Sequence, residues 1–198
     1  MRSEMPNRPS PPERIEADRL YLRLYKPGDG PMYHAAAERN RERLSKSDPE
    51  NDLLDIHTPA DAEPVVARLR GAWDAYQCAF YGVFSRSDDE WAGQVTVGIT
   101  GPRLPEYGVG FIADARFEGK GMMTEAVKAV VGMVFRDMGG LRVRSDCSEN
   151  NARSWKLLER CGFTREGHLR QNRRGPDGTV HGDYLYGILR EEFDGSVE

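Results

Sequence analysis

Arg116-Phe117-Glu118-Gly119-Lys120-Gly121-Met122-Met123-Thr124-Glu125-Ala126 is the stretch that decides the fold, because two glycines one residue apart stand where a strand-like apolar run gives way to a long amphipathic helix. Gly119 and Gly121 have no side chain to block an approaching ligand. They can also adopt the positive φ values that turn successive backbone N–H groups toward one point. A helix starting there adds its unpaired first-turn donors and the positive end of its dipole, which together suit a phosphate or diphosphate. The same spacing also serves a plain strand-to-helix turn, so the surrounding sequence has to choose between the two.

Downstream, Met123, Ala126, Val127, Val130, Val131, Val134 and Phe135 fall at helical spacing up to Met138, and Gly139-Gly140 stops the run. Leu141, Val143 and Ser145 then alternate as a strand. Asn151 can cap a helix carrying Trp155, Leu157 and Leu158. Gly162 closes that helix, Phe163 opens another strand, and the turn Gly175-Pro176-Asp177-Gly178 precedes a last strand from Tyr184 to Leu189. Upstream, Leu20, Leu22 and Leu24 alternate with polar neighbours before Pro27-Gly28, so a half-buried strand opens the domain. A helix from about Pro31 to Leu44 follows. A second, capped at Thr58-Pro59, carries Val65, Val66, Leu69, Trp73 and Tyr76 on one stripe. Ala79–Phe84, Trp91–Ile99 and Tyr107–Ala113 then read as a three-stranded antiparallel meander. The element order is that of a mixed α/β fold, without internal repeats.

The 198 residues fit one domain, expected over 15–193, between a flexible proline-rich leader (1–14, with Pro6, Pro9, Pro11 and Pro12) and a short tail (194–198). Acidic residues outnumber basic ones 32 to 28, with a pI near 5.7, which argues against a nucleic acid partner. No apolar run is long enough to span a membrane, and the expected location is the cytoplasm. Cys78, Cys147 and Cys161 lack C-x-x-C spacing and sit in apolar surroundings, as reduced core thiols do; the alternative, a catalytic thiol, has no identifiable histidine partner. His34, His57, His168 and His181 show no metal-ligand spacing, so no metal site is expected.

The Arg116-x-x-Gly119-x-Gly121 loop, together with Asn151-Ala152-Arg153-Ser154 and Leu157-Leu158-Glu159-Arg160-Cys161-Gly162-Phe163, resembles the GNAT acetyltransferase superfamily. Thr124-Glu125-Ala126 after the glycine loop, Asn-x-x-Ser at 151–154, Gly162 to Gly167 and Asp183-Tyr184 resemble its RimJ/RimL branch, over roughly Leu20 to Phe193. The resemblance implies a strongly twisted, splayed mixed sheet of about seven strands with helices on both faces, and acetyl-CoA held where the fourth and fifth strands part. It implies that amides from Phe117 through Met122 hold the diphosphate. Ile112 and Ala113 would pair with the pantetheine arm, or polarise the thioester carbonyl. Arg116, Lys120, Thr124 and Asn151 complete the expected CoA-binding set, Lys120 either as a point charge near a phosphate or as a solvated loop lysine.

Acetyl transfer to an amine needs a neutral nitrogen, donors to the developing oxyanion and a proton for the departing thiolate. Ser154 resembles the branch serine near the sulfur and either donates that proton or merely supports the helix start. Much of the superfamily has a tyrosine acid where this chain has Leu158, a loss the branch shares. Glu106, Glu166 and Asp183 are the candidate bases, reached through water, although each also suits an ion pair. Keeping a lysine side chain neutral at pH 7 costs roughly 3.4 kcal/mol more than an α-amine, from reference pKa values of about 10.4 against about 7.7 to 8. A site lacking an obvious strong base therefore favours a protein or peptide N-terminus, in line with what the resemblance implies, since the branch includes enzymes that acetylate protein N-terminal amines. Others of the branch acetylate polyamines, antibiotics and other small amines, so a polyamine or amino sugar is the alternative acceptor. Asp48, Glu50, Asp52 and Asp55 form an acidic cluster that either attracts a cation or is simply solvated. A non-catalytic acyl-CoA-binding module is the competing class of function. A Rossmann or P-loop domain is disfavoured, since Lys120 is followed by Gly121 and no Gly-x-Gly-x-x-Gly opens the chain. Monomer and homodimer are both compatible with the sequence.

Overall fold

The structure is a computed structural model that describes residues 9–49, 51–101, 104–175 and 177–193. Leader residues 1–8, Glu50 of the acidic cluster, Pro176 of the last turn, the tail 194–198 and the side chain of Tyr76 lie outside the described residues. Among the described residues, eight strands form one sheet: β1 (Arg14–Glu16), β2 (Leu20–Leu24), β3 (Cys78–Ser85), β4 (Trp91–Ile99), β5 (Glu106–Ala113), β6 (Arg142–Ser148), β7 (Thr164–Arg174) and β8 (Val180–Leu189). Their order is β1-β2-β3-β4-β5-β6-β8-β7, and every neighbouring pair is antiparallel except β5 and β6. The helices are α1 (Gly30–Ser47), α2 (Pro59–Tyr76), α3 (Met122–Arg136) and α4 (Ala152–Arg160).

The alternation of each strand divides its side chains between two cores. Val127, Val130, Val131 and Val134 of α3 and Leu158 of α4 pack with Leu20, Leu22, Tyr81, Val83, Val95, Val97, Tyr107 and Val143 of the sheet. Tyr33 and Leu44 of α1 and Val66 and Leu69 of α2 pack with Tyr25, Phe84 and Trp91. Beneath α1, the buried Gln94 accepts from Tyr25 Oη (2.8 Å) and Tyr33 Oη (3.0 Å), while Trp91 Nε1 donates to Tyr25 Oη (3.2 Å). These bonds satisfy the two hydroxyls, the indole N–H and the amide oxygen that the aromatic layer brings inside.

Eight strands stand where about seven are expected. The additional one, β1, places Ile15 in the core opposite Leu22 on the edge of β2. The end of the supposed leader is fastened as well, since Tyr81 Oη donates to Pro12 C=O (2.6 Å) and Leu24 N–H to Glu13 C=O (3.0 Å). One buried residue in a three-residue strand is too short a pattern to read, but β2 has an edge of unpaired backbone groups that this segment satisfies. Leu141, read as the first strand residue, lies outside β6 and is 47% exposed.

Candidate active site

The site is built around the one parallel junction among the described strands. β5 and β6 pair only over Glu106, Tyr107 and Gly108 with Arg142, Val143 and Arg144. One residue further on, the Val109 carbonyl accepts from the buried Ser145 hydroxyl (2.8 Å), and beyond that point the strands part. Asp114 N–H donates to Ala92 C=O (2.9 Å) and Thr100 N–H to Glu106 C=O (3.1 Å), which sets the phase of the β4–β5 ladder. Pairs two residues apart share that phase, so Ile112, opposite Gln94, directs both backbone groups to β4. The expectation that the Ile112 backbone meets the pantetheine arm is therefore corrected by register: Phe111 and Ala113 face the gap. The Ala113 carbonyl is taken by Arg43 Nη2, leaving both backbone groups of Phe111 and the N–H of Ala113 on the open edge.

β5 leads directly into the glycine loop. Asp114, fully buried, caps the short helical turn Ala115–Phe117 by accepting from Arg116 N–H (3.0 Å), and it also receives Arg39 Nη2 (2.8 Å). Burial alone would raise its carboxyl pKa, but the Arg116 N–H and the two guanidiniums outweigh burial and hold it below the usual aspartate range. Arg116 is committed to Asp114 (3.3 Å) and Glu90 (2.9 Å), so its charge anchors the loop. Glu118 is gripped by Arg43 (3.3 Å) and Arg153 (2.6 Å), and Lys120 Nζ lies 5.0 Å from the centre of the half-buried Phe117 ring. Gly119 (φ 74°) and Gly121 (φ 75°) are both left-handed, and a Cβ at Gly119 would meet no atom within 4 Å. The first helical bond of α3 runs from Glu125 N–H to Gly121 C=O (3.1 Å). Among the described residues, the amides of 119–124 have no protein acceptor. Met122 is buried, while Thr124 is half-buried and its carbonyl accepts from Cys161 Sγ (3.6 Å).

On the other wall, Asn151 caps α4, its Oδ1 accepting from Ser154 N–H (3.2 Å). Ser154 is half-buried, and its hydroxyl makes no hydrogen bond to protein among the described residues. The three candidate bases are all engaged. Glu106 accepts from Arg142 Nε (3.1 Å) and Thr100 Oγ1 (2.8 Å), and Glu166 accepts from Arg142 Nη1 (2.7 Å), so one arginine joins two of them at the root of the gap. The Arg142 hydrogen bond holds Glu166 below the usual glutamate range. Asp183 is buried and accepts from Asn172 Nδ2 (2.7 Å) and Arg173 Nε (3.1 Å). Glu166, held in the ionised form by Arg142, is a correspondingly weak proton acceptor. In the acidic cluster, Asp52 and Asp55 share Arg68 (2.6 and 3.1 Å) and Asp48 accepts from Asn51 Nδ2 (2.8 Å).

All three thiols are free, and burial pushes Cys161 up to about 12 and Cys147 and Cys78 each to about 11, so none is an activated nucleophile. Among the described residues, no three His, Cys, Asp or Glu side chains converge as a metal-binding group, and no helix is long and apolar enough to cross a membrane. Sequence reasoning missed Ser145 at the fork, Arg43 on Ala113 and Glu118, and the contact of Arg19 with Glu125. Only Ser145 had a local signal, as a small polar residue among the inward positions of a strand.

Residues 19–164 match the family profile described as an acetyltransferase (GNAT) domain. The chain is 36% identical over 93 residues to the Bacillus subtilis protein named "Probable N-acetyltransferase YjcK"; the match takes in 46% of this chain and 51% of that one, so the chain spans about half the length of this relative. It is 25% identical over 162 residues to the Escherichia coli ribosomal protein uS5-alanine N-acetyltransferase, covering 81% of this chain and 82% of the relative. In fold it is similar to Mycobacterium smegmatis RimJ solved in complex with CoA-disulfide, with a TM-score of 0.80 at 21% identity over 92% of this chain and 90% of the other. With the parted strands, the glycine loop and the capped fourth helix in this order, the chain belongs to the GNAT acetyltransferase family.

Proposed function

We propose that the protein transfers an acetyl group from acetyl-CoA to the α-amine of a protein or peptide N-terminus, by direct attack within a ternary complex. The observation that carries this reading is the parting of β5 from β6 beyond Val109, which leaves an unpaired strand edge running straight into a cradle of free amides. These features fit acetyl-CoA. Peptide-like groups of a pantetheine arm match the open donors and acceptor at Phe111 and Ala113, and a diphosphate matches the amides of 119–124 at the start of α3. When bound, acetyl-CoA supplies the activated acyl carbon.

The protein's part is to orient the reactants and manage charge and protons. An edge N–H at Phe111 or Ala113 serves as donor to the carbonyl oxygen, where charge builds up during attack. The Ser154 hydroxyl, with no protein acceptor of its own, gives a proton to the departing sulfur directly or through a water. The attacking nitrogen loses its proton to solvent, or to Glu106, Glu166 or Asp183 through water. Because all three carboxylates are tied to arginine, an amine already partly neutral near pH 7 suits the site better than a lysine side chain. The likeness to a relative named for acetylating an alanine of ribosomal protein uS5, and to a solved structure titled as an alpha-N-protein acetyltransferase, supports the same choice.

Thiol release from acetyl-CoA, measured against N-terminal Ser, Ala and Met peptides, lysine-only peptides, polyamines and amino sugars, tests this reading. Turnover on free N-terminal peptides is expected. Preference for a polyamine or amino sugar refutes the substrate assignment, and CoA binding without turnover on any amine favours a binding module.

A further inference from the structure

We infer that Arg19 is a CoA-binding residue, with the buried Glu125 as the positioning residue that aims its guanidinium at the diphosphate. This inference rests on the acetyl-CoA reading above. Arg19 stands immediately before β2, with its carbonyl fixed by Arg86 N–H (3.0 Å). It is 106 positions from Glu125, yet grips that carboxylate twice, through its backbone N–H to Oε1 (2.7 Å) and its Nε to Oε2 (2.7 Å). Its Nη1 donates to the Lys120 carbonyl inside the glycine loop (3.0 Å). Nη2 has no acceptor among the described residues and lies 3.5 Å from where a Gly121 Cβ would stand. The guanidinium therefore leans over the mouth of the cradle with one donor edge still unused.

Charge gives the arrangement its purpose. Glu125 lies in the first turn of α3 with only 2% of its side chain exposed, directly below amides that would hold an anion. Left alone, that carboxylate would repel a diphosphate and compete with it for the helix N-terminus. Arg19, itself 56% exposed, cancels the buried charge and keeps a forked N–H pointing outward. The other cations around the loop are differently occupied: Arg116 on Asp114 and Glu90, Arg43 and Arg153 on Glu118, Lys120 over Phe117. A lysine could neutralise Glu125, but its single nitrogen could not also serve the loop carbonyl and a phosphate.

Calorimetric titration of the full chain with CoA, and with pantetheine, which lacks the diphosphate, tests the assignment alongside thermal melting. Arg19→Lys keeps a charge opposite Glu125 and gives up the exposed bond to the Lys120 carbonyl, so it is expected to lower the melting temperature by no more than about 2–4 °C and to weaken CoA about ten- to a hundredfold, the range for one lost hydrogen bond to a charged group. Its affinity for pantetheine should match that of the wild type. Arg19→Ala should weaken CoA further by exposing the Glu125 charge, and Arg19→Ala with Glu125→Gln should recover much of that additional loss. Arg19→Lys binding CoA as tightly as wild type, or losing pantetheine as much as CoA, overturns the inference alone. A wild-type chain that binds no CoA overturns the acetyl-CoA reading and this inference with it.

Discussion

Substituting alanine separately for Gly119 and Gly121 distinguishes what the loop contributes to stability from what it contributes to binding. Both residues are left-handed, at φ 74° and 75°, a conformation that costs an L-residue roughly 1–2 kcal/mol. Replacing glycine also restricts the unfolded chain, returning about 0.4–1 kcal/mol. Steric terms add little. A Cβ at Gly119 would have no neighbour within 4 Å, and one at Gly121 would stand at an ordinary 3.5 Å from Arg19 Nη2. Each variant should therefore lose about 1 kcal/mol, a fall of about 2–4 °C in melting temperature for a chain of this size. That strain is already present without ligand and cancels from binding. At a diphosphate site the added methyl is expected to crowd the anion held by the loop amides. Displacing one amide from a phosphate oxygen should weaken CoA by about ten- to a hundredfold. Differential scanning calorimetry and CoA titration of the two variants read the quantities separately. Variants at least as stable as wild type would refute the left-handed loop, and unchanged CoA affinity in both would refute the diphosphate site.

Ser154→Ala should lower kcat on the order of a hundredfold while leaving the KM for acetyl-CoA within about twofold, and an unchanged kcat in steady-state assays would remove the serine from proton transfer. Ser145→Ala leaves the Val109 carbonyl at the fork without its 2.8 Å donor and should cost about 1–3 kcal/mol by urea denaturation; a loss below about 0.5 kcal/mol would show that the fork does not depend on this bond. Asp114 has a depressed folded pKa, so its stabilising contribution is complete above the unfolded aspartate value and is lost as pH falls through the folded one. Arg39→Met removes one cause of that depression and should move the acid-unfolding midpoint to higher pH, whereas an unmoved midpoint would mean the Arg39 pair is energetically idle. With Cys161 at about 12 and Cys147 at about 11, iodoacetamide at pH 8 should leave these two buried thiols unlabelled in the folded protein and label both in denaturant; rapid labelling of either native thiol, seen by mass spectrometry, would contradict its burial.

The long elements were legible because their signals repeat. Val127, Val130, Val131 and Val134 mark the face of α3 over several turns, and the Trp91–Ile99 strand is rich in residues that prefer a pleated surface. The Arg14–Glu16 strand was illegible, since one inward isoleucine makes no period and its pairing depends on the free edge of β2. In the site, Gly119 and Gly121 announced their left-handed backbone locally, and Asn151 announced a cap. Which of Ile112 and Ala113 turns its backbone groups to the gap could not be told from the sequence. Side-chain alternation says which sheet face a residue covers, whereas the direction of its N–H depends on which strand it pairs with and in what phase.

By itself the chain determined its element order, the glycine cradle at the start of α3 and the capped turn bearing Ser154, because helical period, caps and positive-φ glycines act over a few neighbouring residues. Tertiary structure alone decided that β5 leaves β6 after Val109, that Phe111 and Ala113 face the gap, that Arg142 ties up Glu106 and Glu166, and that Arg19 reaches Glu125. Strand register and charge pairing between distant positions exist only once packing has brought those positions together, and no local pattern encodes them.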